Sequence, residues 1–292
     1  MLPSMRFYII SIVSIFIALG IGIFIGFTID TQDFITEQKD IIGEIVESQF
    51  ETLIIENKEL KLNEEQLELE IGYKDEYIDS SYGYLIKDKL KGLNIGIIGT
   101  NEDYVTSGIG RDLELAGAKV INVTTLNNIM TNKEDLNDLY KSLELNISKN
   151  PVESTATIIA ESIITGKTNH IFDDLERWGF IETIGNYEES VDYIIICGGS
   201  LIESPKRINQ LDRYIVETAK KYNIPILGVE KSNVNYSYMP GYKDLGISTV
   251  DNVDMTIGKV AMIFAIDGMG GHYGIKNISE SIIPHFRDAV EE

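Results

Sequence analysis

The sequence predicts an α/β protein carried on an N-terminal membrane span and a long helical stalk, and three observations predict it. Phe7–Ile29 carries no charge, and apolar residues recur at heptad spacing between Val46 and Ile78. Beyond Gly92 short apolar runs alternate with helical patterns, as in strands and helices built around a mostly parallel sheet. The expected segments are a cytoplasmic tail at 1–6, a transmembrane helix at 7–29, a coiled coil at 30–90 and a Rossmann-like extracytoplasmic domain at 91–292, with helices on both sheet faces.

The span comes first. FYIISIVSIFIALGIGIFIGFTI is interrupted only by Ser11, Ser14 and Thr28, and its 23 residues suffice for a hydrocarbon core of about 30 Å. A cleavable signal peptide is the competing reading; its apolar part is shorter and ends in a small-x-small site that this run lacks. Arg6 precedes the span and Asp30, Asp33 and Glu37 follow it, so the N-terminus is expected in the cytoplasm. Gly22 and Gly26 form a GxxxG pair, a contact two such helices can use.

The stalk follows. Val46, Leu53, Leu60 and Leu67 fall seven apart at d, and Phe50, Asn57, Glu64, Ile71 and Ile78 form the a row. Asn57 at an a position favours a parallel two-stranded register, which makes a homodimer the expected state, although Glu64 and Lys74 weaken the seam. A single amphipathic helix lying on its own domain is the alternative.

In the domain, Asn94–Gly99, Lys119–Val123, Tyr193–Cys197 and Ile226–Val229 read as strands, with a short fifth at Ile247–Thr249. Helices are expected at Tyr104–Ala116, Lys133–Leu145, Pro151–Thr165, His170–Gly179, Ser204–Tyr222 and Val253–Ile266, the third opening on a proline in its first turn. Gly268–Gly274 reads as a glycine-rich turn.

Composition limits the chemistry. A formal net charge of −21 argues against nucleic acid as a partner and against an anionic lipid surface. The single cysteine, Cys197, has no internal disulfide partner and sits in an apolar strand, where a core thiol is expected. Neither G-x-G-x-x-G nor G-x-x-x-x-G-K-[ST] occurs, and Gly198-Gly199-Ser200-Leu201-Ile202 is not a nucleophile elbow. No catalytic residue or cofactor is therefore assigned, and no enzyme activity is expected. Gly198, Gly199 and Ser200 still end a parallel strand, where such sheets hold ligands, and form the candidate crevice. His170, His272 and His285 show no metal-ligand spacing. Met269 and His272 are the one close pair of soft ligands, and so the candidate metal site.

Arg6, the span's end Ala18-Leu19-Gly20-Ile21-Gly22-Ile23-Phe24-Ile25-Gly26, the coiled coil directly after it and the terminal Gly271-His272-Tyr273-Gly274 together resemble the MctB family, described as copper transport outer-membrane proteins. The resemblance covers nearly the whole chain. It implies placement in the cell envelope and a role in copper homeostasis or efflux. It also implies a non-enzymatic part in envelope assembly and cell separation, which would require a protein partner there.

Overall fold

The computed structural model describes residues 5–102, 108–146, 149–203 and 207–285. The chain divides into two compact units, Met1–Lys74 and Asp75–Glu292.

The first unit is built on one helix. α1 (Met5–Ile86) is unbroken over 82 residues, and its sequence holds no proline to interrupt it. Its first part, Met5–Thr28, is 24 residues of apolar helix, long enough to cross a bilayer. Its hydroxyls return to the helix: Ser14 donates to the Ile10 carbonyl at 2.8 Å and Thr28 to that of Phe24 at 2.7 Å. Farther along, the expected heptad residues from Val46 to Ile71 form exposed rows, and Ile78 is half-buried.

The second unit begins with the last turns of α1. Ile86 and Leu90 are fully buried, and the helix stops where Asp88 takes φ 60° and Gly92 φ 87°. The chain then enters the sheet at its middle. β1 (Asn94–Gly99) pairs in parallel with β2 (Lys119–Leu126) on one side and β4 (Tyr193–Cys197) on the other. β5 (Ile226–Val229), β6 (Ser248–Val250) and β7 (His272–Tyr273) extend the sheet in parallel, and β3 (Ile181–Gly185) closes the other edge antiparallel to β2. The order is β3-β2-β1-β4-β5-β6-β7. This is a mostly parallel, doubly wound sheet, as the sequence predicts.

Alternation along the strands feeds two cores. Ile98, Ile194 and Ile196 face α3 (Lys133–Ser142), α4 (Pro151–Thr165), α5 (His170–Arg177), α6 (Arg213–Lys221) and α7 (Met239–Asp244). Ile95, Ile97, Ile195 and Cys197 face the end of α1, α2 (Ile109–Leu115) and α8 (Thr256–Ile266). α4 packs so close to β1 that a Cβ on Gly96 would lie 2.9 Å from Ile163 Cγ2.

Several boundaries differ from expectation. The helix expected at Tyr104–Ala116 is seen from Ile109, and 103–107 lie outside the described residues. The helix expected from Ser204 is α6 preceded by a π turn at Ile208–Asp212, with 204–206 outside the description. α3 ends at Ser142 because Glu144 turns to φ 55°. The fifth strand lies one residue later than expected, β2 runs on to Leu126, and α8 starts at Thr256 rather than Val253. β3, α7 and β7 are additions, and the expected glycine turn contains β7.

Candidate functional site

At the end of β4 the chain is tightly enclosed. A Cβ on Gly198 would lie 2.6 Å from the Tyr242 hydroxyl, and one on Gly199 would lie 2.8 Å from Val234 Cγ1 and 3.1 Å from Glu230 Oε2. Gly199 also holds φ 84°, a left-handed value that favours glycine. Ser200 is 3% exposed; its hydroxyl donates to the Ile202 carbonyl at 2.7 Å and accepts from the Ile202 amide at 3.0 Å. Protein side chains thus fill the space beside Gly198 and Gly199, and the serine hydroxyl closes a local turn.

The strand order reverses between β1 and β4, the place where ligands enter sheets of this kind. Here the ends are stitched together. Asn101 Nδ2 donates to the Gly199 carbonyl at 2.7 Å, and Thr100 Oγ1 donates to that of Cys197 at 3.2 Å. Arg207, buried to 4% exposure, donates Nε to the Thr100 carbonyl and Nη2 to those of Leu126 at 2.9 Å and Asn127 at 3.3 Å. One guanidinium therefore covers the carboxyl ends of β1 and β2.

Asp212 lies fully buried in the π turn and accepts the Tyr242 hydroxyl at 2.8 Å. Burial raises its pKa to about 7, with Arg207, Tyr242 and Thr100 pulling the other way. Burial also pushes the Cys197 thiol upward, which makes it a core group and a poor nucleophile. Sequence reading missed Arg207 and Asp212. The available signal was Asp212 itself, since it follows Leu211 and lies four residues after Ile208 and three before Ile215, on the apolar stripe of its helix.

A second polar centre lies beside the first, at the carboxyl ends of β5 and β6. Asp251, fully buried after β6, accepts the amides of Ile275 at 2.7 Å and Lys276 at 3.0 Å and the hydroxyl of Ser279. Glu230, fully buried after β5, accepts Lys276 Nζ at 2.6 Å, the Ser237 hydroxyl and the Tyr238 amide at 2.9 Å. Burial raises the Glu230 pKa, against the pull of Lys276 and Ser237. Gly274, at φ 137°, passes so close to Asp251 that any Cβ would overlap the carboxylate.

Met269 and His272 do not converge. Met269 packs with Tyr273 in the core on the α8 side. Alternation along β7 sends His272 to the opposite face, where Nδ1 meets Thr249 Oγ1 at 3.0 Å. Burial and Lys243 lower the His272 pKa, and Glu280 opposes them. Among the described residues no three His, Cys, Asp or Glu side chains gather as a metal site. At the opposite end of the sheet lies an open trough of about 550 Å³, floored by Tyr193, Pro225, Ile226, Ile247, Ala265 and Ile266. Its rim lysine, Lys220, donates to the Leu245 carbonyl.

Fold and site together define a class: an open-sheet α/β protein that follows an apolar N-terminal helix of membrane-spanning length. Residues 2–284 match the family model described as "copper transport outer membrane protein, MctB", and the chain belongs to that family. This makes it, at family level, a copper-transport-related envelope protein. No curated protein matched the chain. Among the described residues the strands form one open sheet with two edges, a different arrangement from the closed barrel of an outer-membrane pore.

Proposed function

We propose that this chain is a single-pass membrane protein with a cytoplasmic N-terminus, and that its α/β unit and stalk act outside the cytoplasm as a non-enzymatic, dimeric scaffold. In this reading it serves copper homeostasis through what it assembles with, such as an envelope protein partner, rather than through a metal site within one chain. The same architecture suits a regulator of envelope assembly and cell separation.

The observation that carries the reading is the a/d seam of α1. Phe50, Leu53, Leu60, Leu67 and Ile71 are each between 56 and 66% exposed. Phe50 and Leu53, with Ile54, Asn57, Lys58 and Lys61, line an apolar hollow of about 440 Å³. A row of that length on a water-exposed helix is stabilised by a partner helix. A parallel pairing also sets Glu56 at g against Lys61 at e of the second copy, next to the Asn57 pair.

Sedimentation of the full chain in detergent tests the dimer. Leu53→Lys with Leu60→Lys is expected to turn a dimer into a folded monomer. A native chain that already sediments as a monomer removes the scaffold reading.

A further inference from the structure

The stalk has a second apolar row that a two-stranded seam leaves uncovered. Ile55, Leu62 and Leu69 fall seven apart and are 65, 56 and 60% exposed. They occupy the f position, which points directly away from the a/d seam and is ordinarily polar. Because their spacing matches the heptad, the row keeps to the outside of the paired helices instead of winding into the seam.

We propose that this outer row is a second self-association face, through which stalk dimers line up side by side in the membrane. The inference rests on the dimer reading above. A second copy is the occupant for two reasons. The apolar helix Met5–Thr28 lies on the same helix as the row, so copies anchored in one membrane stand parallel, with Ile55, Leu62 and Leu69 at matching heights. The flanking charges also agree with self-pairing. Across a parallel two-fold contact at f, each b residue faces the neighbouring c residue, which sets Lys58 against Glu59 and Glu65 against Gln66, with no like charges opposed at these positions. Two two-fold faces on opposite sides of one helix do not close a ring, and repetition gives an open row. Three apolar side chains per copy make a small contact, so the association belongs to the membrane, where anchoring raises the effective concentration.

Site-directed crosslinking of the full chain in lipid vesicles tests this. Cys197 is fully buried, so introduced thiols report alone. Under a mild thiol oxidant, Leu60→Cys on the seam and Leu62→Cys on the outer row are each expected to give a crosslinked dimer. The double variant is expected to give a ladder of higher multiples, with yields that persist when the vesicles are diluted with excess lipid. If Leu60→Cys crosslinks and Leu62→Cys stays monomeric, the outer face is refuted and the dimer stands. If Leu60→Cys fails, the dimer reading itself is refuted. A Leu62→Cys yield that falls in proportion to lipid dilution marks collision and also overturns the proposal.

Discussion

Asp212 should make the α/β unit less stable as the pH rises, and the size of the effect can be worked out. Its carboxyl ordinarily titrates at 3.8 and in the folded protein at about 7. A carboxyl whose pKa is raised by folding holds its proton more tightly in the folded state, so its contribution is complete in acid and is lost as the pH climbs through the folded value. Between about pH 5 and pH 8 the unfolded chain keeps this group ionised while the folded chain surrenders its proton. Roughly two pH units of that interval lie below the folded pKa, each a tenfold change in the folding equilibrium, so folding weakens by about 3 kcal/mol. Asp212→Asn keeps a group of similar shape beside the Tyr242 hydroxyl and removes the titration. Other carboxylates, including Glu230 with its raised pKa, cancel when the two proteins are compared. Urea unfolding of the full chain, followed by its single tryptophan, Trp178, measures the difference. The gap between variant and native stability should widen by about 3 kcal/mol from pH 5 to pH 8. Parallel pH profiles would refute the assignment.

Gly274→Ala places a methyl group against the Asp251 carboxylate at a left-handed φ, and should cost at least about 2 kcal/mol, read as a lower thermal midpoint. For copper, chelator competition on the full chain is expected to show no tight stoichiometric Cu(I); binding lost in both His272→Ala and Met269→Leu would make the role direct. Protease added outside spheroplasts should digest the α/β unit, and protection until the membrane is breached would reverse the orientation.

The central strands were legible because their apolar runs are continuous and bounded by glycine, proline or charge. β1, β4, β5 and α4 occur with the expected bounds. β3 escaped because an antiparallel edge strand alternates, and Glu182 and Ile184 both face solvent. β7 is two residues long inside a glycine-rich stretch, and its partner β6 is formed more than twenty residues earlier, so only pairing reveals it. The candidate crevice was legible as a strand end but not as a filled one. Its occupants come from residues 230–242, and Arg207 reaches Thr100 from more than a hundred positions away. Periodicity carries no information about such contacts.

The burial of Ile86 and Leu90 determines where the α/β unit can be released from the helix that precedes it. Tyr82 donates to Asp112 at 2.9 Å and Asp79 accepts the Thr256 hydroxyl at 2.9 Å, so the final turns of α1 are part of the folded body. A shedding protease that cuts within the exposed stretch around Glu56–Glu70 would free an intact α/β unit into the surrounding space. A cut at Lys87 or Lys89 would instead withdraw one wall of its core. The lysine-bearing turn after α1 is therefore the wrong place to detach the protein, and the acidic stretch before it is the right one.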